Sequence, residues 1–200
     1  MRKETKARRT DFSRETKEVS LTGSIDIDGT GRKKIDTKIG FLDHMLSTFS
    51  EYSSFDIELK ADGDTNIDYH HTVEEVGIVL GESIKRVCGT DIERFASCII
   101  PHDETLVLFS LDISGRSGFF VRGFENFEAK EYKYITYIFF EALCRAGGFT
   151  IHIRVIEGEN PHHIAEAIFK SAGTCFKNAV VIKGRNTPTS LKGYIYNEKA

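Results

Sequence analysis

Apolar residues along this chain change period in a regular order. Val19, Leu21, Gly23, Ile25 and Ile27 recur at every second position, the period of a strand with one buried face. Asp28-Gly29-Thr30-Gly31 is a turn signal, and a second strand over about 33–39 would complete a hairpin. The period then lengthens. Phe41, Met45, Phe49 and Tyr52, with Leu42 and Leu46 beside them, predict a helix. FDIELKA at 55–61 reads as a strand, and ADGDTNID as a polar loop. Val73, Val76, Leu80, Ile84 and Val87 then mark a second helix. Residues 89–104 read as a connection, after which the order repeats. TLVLFSLDIS and GFFVRGF are predicted strands, EYKYITYIFFEALCRA a helix and FTIHIRVIE a strand. A last helix buries Ile164, Ile168, Ala172, Cys175 and Ala179.

The expected fold class is α+β: an internal duplication of two ββαβα halves, each an antiparallel or mixed sheet with helices packed on one face. The expected division is an N-terminal arm at 1–18, a first half at 19–100, a second half at 101–183 and a C-terminal tail at 184–200, the halves forming one unit. The polar stretch 1–16 reads as an arm or a sheet edge.

Chemistry marks the duplication more sharply than the apolar pattern does. DYHHTVEE carries His70, His71 and Glu74, and NPHHIAEA carries His162, His163 and Glu166, offset by 92 positions for all three pairs. On a helix each Glu shares a face with its histidines, three and four positions away. Adjacent histidines diverge by about 100° around the axis, so one pair can serve two metal ions. Imidazole with carboxylate suits zinc, manganese, iron or nickel. A single His-His pair at a helix start can equally be a cap or a surface feature; two copies in phase argue for chemistry.

Bulk composition narrows the classes. With 40% hydrophobic and 28% charged residues the chain is ordinary for a globular protein. A net charge of −3 gives no general attraction to nucleic acid or anionic lipid. No apolar run approaches the ~20 residues of a membrane helix, and MRKETKARRT has no apolar region behind it to act as a secretory signal. Cys88, Cys98, Cys144 and Cys175 show no CxxC spacing and read as thiols in a reducing compartment. A cytoplasmic protein with neither nucleic-acid nor membrane partners is expected.

IDTKIGFLDHML, DYHHTVEEVG, PHDETL, DISGR, GENPHHIAEAIFK and SLKG, in that order, resemble the imidazoleglycerol-phosphate dehydratase family over about residues 8–194. The resemblance implies a hydro-lyase of histidine biosynthesis that removes water from imidazole glycerol phosphate to give imidazole acetol phosphate. It implies two manganese ions per active site, holding the imidazole as an imidazolate, and a homo-oligomeric shell of 24 subunits with sites between neighbours. Carried onto this chain, one metal site would use His44, His71, Glu74 and His163. The other would use His70, His162 and Glu166. Glu18, in RETKEV, matches a carboxylate near the reacting carbons; with Glu74 and Glu166 it makes up the candidate catalytic carboxylates. Arg94, Arg116, Ser190 and Lys192 match the phosphate-holding positions, where charged donors offset the desolvation of phosphate.

The chain departs from the family's pattern in places. His44 lies 26 positions before His70, but the matching position 24 before His162 is Ile138, which cannot bind a metal. The second site therefore keeps three familiar protein ligands at most, and Ile138 reads as part of the apolar face with Tyr134, Ile135, Phe139 and Ala142. Tyr52, His102, Ser117 and Tyr69 replace more usual residues, and His102 reads as a loop histidine without a partner. His152 reads as structural. Two alternatives to a working dehydratase stand beside it: a relative with lost or changed activity, for which Ile138 is the discriminating feature, and a dinuclear hydrolase, which lacks a nucleophile motif of its own.

Overall fold

The computed structural model describes residues 7–124 and 129–184. The first half runs β1 (Arg9–Glu15), β2 (Val19–Asp26), β3 (Lys33–Asp36), α1 (Gly40–Ser53), β4 (Asp56–Gly63) and α2 (His70–Cys88). The second repeats the order as β5 (Phe95–His102), β6 (Thr105–Asp112), β7 (Gly118–Arg122), α3 (Lys130–Gly147), β8 (Thr150–Glu157) and α4 (Pro161–Ala179). The α+β class and the duplication are as the sequence pattern implies. Each half carries one strand more than expected. β1 is the edge that the polar N-terminal stretch allowed for, and β5 replaces the expected connection at 89–104.

β5 escaped prediction because its alternation is weak. Its exposed positions include Phe95, Ile99 and Pro101, so apolar residues occupy both faces and no period of two stands out.

The expected hairpin between residues 19–27 and 33–39 does not form. Strand order is β1-β2-β4-β3 in one sheet and β5-β6-β8-β7 in the other. β4 enters between β2, antiparallel, and β3, parallel. The reason is burial: β4 hides Ile57, Leu59 and Ala61, whereas four-residue β3 hides no side chain fully and serves as an edge. The DGTG turn is tied to the start of β4, with Thr30 N–H and Arg32 N–H donating to Asp56 Oδ1 at 2.7 and 2.9 Å. Parallel neighbours need a crossover, and α1 and α3 supply it.

The helices of the two halves pair with each other, α2 with α3 and α1 with α4. Glycine permits the close approach. A Cβ on Gly77 would lie 2.7 Å from Phe139 O, and one on Gly173 would lie 2.8 Å from Phe49 O. Phenylalanine fills the centre: Phe49 meets Phe55 and Phe176, and Phe140 meets Phe109 and Phe169. Val73, Val76, Leu80 and Ile84 are buried as their spacing predicted, with Val87 half-buried.

Candidate metal centre

Each His-His pair is set by the residue two places before it. Asp68 Oδ1 accepts from the N–H of His70 at 2.8 Å, and Asn160 Oδ1 accepts from the N–H of His162 at 2.9 Å. Both side chains satisfy a backbone donor that a helix start leaves without a partner. Asp68 and Asn160 share the 92-residue offset of the histidines, a signal present in the sequence. His44 is aimed differently. Its neighbour Asp43 turns inward, accepting from Thr37 N–H at 2.8 Å and Thr37 Oγ1–H at 2.6 Å. With Thr37 fully buried, that contact fixes the first turn of α1 and leaves His44 at the surface.

Three histidines converge on one carboxylate. His44, His102 and His162 place Nε2 at 3.5, 3.4 and 3.4 Å from Glu166 Oε2. His44 and His162 stack at 5.2 Å, and their ligand atoms with that of Glu166 lie within 4.8 Å of one another. Burial opposes ionisation of Glu166. Lys170, 3.0 Å from Oε1, and the nearby histidines outweigh it and hold the carboxyl below its ordinary range.

Three of the four paired histidines also engage Nδ1. His71 Nδ1 lies 3.0 Å from Asp64 Oδ2, His163 Nδ1 lies 2.7 Å from Glu104 Oε2, and His70 Nδ1 lies 2.7 Å from the Tyr134 hydroxyl. A carboxylate only accepts, so His71 and His163 carry their proton on Nδ1 when neutral. Nε2 then keeps its lone pair. This is the arrangement in which a histidine is held for a metal by an outer partner. The bond to Asp64 raises the pKa of His71, and the bond to Glu104 raises that of His163. Hydrogen bonds from His163 and from the N–H of Asn160 and Glu159 hold the Glu104 carboxyl down at about 2. Nitrogen donors with free Nε2 beside carboxylates fit a divalent transition metal.

Glu18 Oε2 lies 3.7 Å from His71 Nε2, on the hairpin between β1 and β2. Glu74 lies 3.8 Å from His70 Nε2 and accepts from Arg145 Nη2 at 2.6 Å. Arg94 is buried and gives two hydrogen bonds to Asp112, at 2.7 and 3.0 Å. Arg116 is exposed beside Ser114. Ser190 and Lys192 lie outside the described residues. Ile138 is half-buried against the core, and His152 stacks on Phe120 at 4.6 Å. His102 departs from expectation: it ends β5 and contacts Glu166, Lys170 and His163. Pairing of β5 with β6 puts it beside α4, a relation invisible along the chain.

The imidazoleglycerol-phosphate dehydratase family model matches residues 37–176, which include every paired histidine and both Glu of the repeated units.

The chain belongs to the imidazoleglycerol-phosphate dehydratase family.

It is thereby a hydro-lyase by family. The imidazoleglycerol-phosphate dehydratase of Xanthobacter autotrophicus is 44% identical over 180 residues, covering 88% of this chain and 91% of that protein. That of Acetivibrio thermocellus is 43% identical, covering 86% and 90%. Among solved structures, the Pyrococcus furiosus dehydratase superposes with a TM-score of 0.78 at 34% identity, covering 92% of this chain and 99% of that one. The Staphylococcus aureus dehydratase gives 0.74 at 30% identity, covering 86% and 99%. No described helix is long and apolar enough to cross a membrane.

Proposed function

We propose that this chain is an imidazoleglycerol-phosphate dehydratase of histidine biosynthesis, converting imidazole glycerol phosphate into imidazole acetol phosphate with two manganese ions per site. The observation that carries the reading is the repeated set of histidines with Nδ1 held and Nε2 directed at carboxylates. Manganese, when bound, supplies Lewis-acid polarisation of the substrate imidazole. His44, His71, Glu74 and His163 would hold one ion, and His70, His162 and Glu166 the other. Glu18, 3.7 Å from His71, would move a proton at the reacting carbons. Arg94, Arg116, Ser190 and Lys192 would hold the phosphate.

Subunit assembly is part of the same reading. Within one chain His44 sits with His162 and Glu166, whereas His71 and Glu74 sit with Asp64, Glu18 and Arg145. Arg94 adjoins the end of β6 that pairs with Phe95; His102 adjoins the other end. Seven strand steps of ~3.3 Å separate those ends by about 23 Å. The residues proposed for metal and for phosphate thus lie at opposite ends of a sheet, and neighbouring copies would bring them together. A 24-subunit cytoplasmic shell is the assembly this reading adopts.

The test is turnover of imidazole glycerol phosphate by the purified full-length chain with added manganese, followed as imidazole acetol phosphate. Turnover is expected. A folded, metal-loaded protein without turnover would favour the alternative, a relative whose activity was lost or changed with the ligand position at Ile138.

A further inference from the structure

The turn between β5 and β6 is more than a connection. Two residues, Asp103 and Glu104, span it, with His102 and Thr105 paired at its mouth. Glu104 fastens this turn to the start of α4 at both carboxylate oxygens. Oε1 accepts from the N–H of Asn160 at 2.8 Å and of Glu159 at 3.3 Å, and Oε2 accepts from His163 Nδ1 at 2.7 Å. The bond to Nδ1 settles the ring of His163, so Nε2 faces the turn with its lone pair free. Asp103 Oδ2 lies 3.7 Å from that nitrogen, and the ring of His102 lies 5.1 Å from the ring of His163. The ligand atoms of His102, Asp103 and His163 all lie within 4.8 Å of one another.

We propose that His102 and Asp103 join His163 as ligands of a divalent cation, three donors supplied by one subunit to a site that neighbouring copies complete. The inference rests on the reading of His163 as a metal ligand and adds two donors to it. Two imidazoles and a carboxylate suit a first-row transition ion. The site is held on two rigid elements, a paired hairpin and the first turn of a 19-residue helix. His102 has competing neighbours. Lys170 Nζ lies 3.1 Å from His102 Nδ1 and Glu166 Oε2 lies 3.4 Å from His102 Nε2. Lys170 also bonds Glu166 Oε1 at 3.0 Å, so it keeps an acceptor when His102 turns to a cation. The physical consequence is that a single subunit can capture an ion before any neighbour contributes a ligand.

The experiment uses metal-free full-length protein titrated with Co2+, followed by visible absorption and calorimetry. Wild type, His102→Gln, Asp103→Asn and His163→Gln are compared, with unfolding curves to confirm the fold. In His102→Gln one class of Co2+ site should weaken on the order of 10- to 100-fold or vanish, as loss of even an outer partner does. Asp103→Asn, at an exposed position, should weaken the same class and keeps the test open should His102→Gln fold poorly. Adding His102→Gln to His163→Gln should cost that class nothing further. Isotherms of His102→Gln and Asp103→Asn that superimpose on wild type overturn the proposal, as does wild type that takes up no Co2+. Loss of the class in a protein without dehydratase turnover keeps the site and removes the proposed activity. Turnover with unchanged isotherms does the reverse.

Discussion

The hydroxyl of Tyr134 lies 2.7 Å from Nδ1 of His70, joining α3 to the first turn of α2 across the two halves of the chain. Ile138 stands one turn further along the same helix, where the duplication would have offered a histidine. α3 therefore supports the first histidine pair through an outer partner. Tyr134→Phe removes that partner and leaves the ring without its orienting bond. Its Mn2+ affinity should fall about tenfold, the lower end of what such partners contribute. Electron paramagnetic resonance of free Mn2+ during titration checks this; unchanged affinity would make the contact merely structural.

Helix pairing rests on small residues. A methyl on Gly77 would meet Phe139 O at 2.7 Å and Ala142 Cβ at 2.9 Å, and backbone cannot give way as a flexible side chain can. Gly77→Ala should therefore destabilise by about 1–3 kcal/mol, although alanine is the better helix former. Gly40→Ala, where nothing lies within 4 Å, is the control. Urea midpoints compare the two.

Asp56 anchors the loop between β2 and β3. Burial opposes its ionisation, but the N–H of Thr30, the Arg32 side chain and the N–H of Arg32 together lower its pKa from 3.8 to about 2. The folded state then binds fewer protons than the unfolded state between those values, so stability rises with pH across that window. The contribution is complete above the unfolded pKa and is lost as pH falls towards 2. Asp56→Asn should flatten the dependence of the urea midpoint on pH in this window. A slope equal to that of wild type would show that other carboxylates govern acid unfolding.

Arg116 is exposed, and the described contact of its guanidinium is one backbone carbonyl, Ser114 O at 3.4 Å, so that group can meet a ligand. With the phosphate role proposed above, Arg116→Ala should raise KM more than it lowers kcat, because anchoring a distant phosphate is uniform binding. A charge-assisted hydrogen bond of about 1.5–3 kcal/mol corresponds to about 10- to 150-fold. Steady-state kinetics with an unchanged KM would take Arg116 out of the site.

Metal and assembly should be coupled, since the proposed ligand sets draw on groups placed apart within one chain. Chelation of the metal should lower the mass measured by light scattering, and readdition of Mn2+ should restore it. Glu74→Gln should lower both metal content and mass. A full-sized particle that persists after thorough metal removal would refute the coupling.

The sequence by itself determined the repeated ββαβα frame within each half, most of the buried helix positions and the His-His-x-x-Glu units. These are local regularities: a period of two or 3.6, or a fixed spacing, is written in consecutive residues. Tertiary structure alone decided that β4 would lie between β2 and β3, because that choice depends on which strand carries the apolar face that must be buried at the centre of the sheet. It alone brought His102 to Glu166 and Tyr134 to His70, pairs 64 positions apart in the chain. The edge strands β1 and β5 were least legible, since one is polar and the other apolar on both faces. Which nitrogen of each histidine is left for a metal was likewise a tertiary matter, set by carboxylates arriving from separate loops.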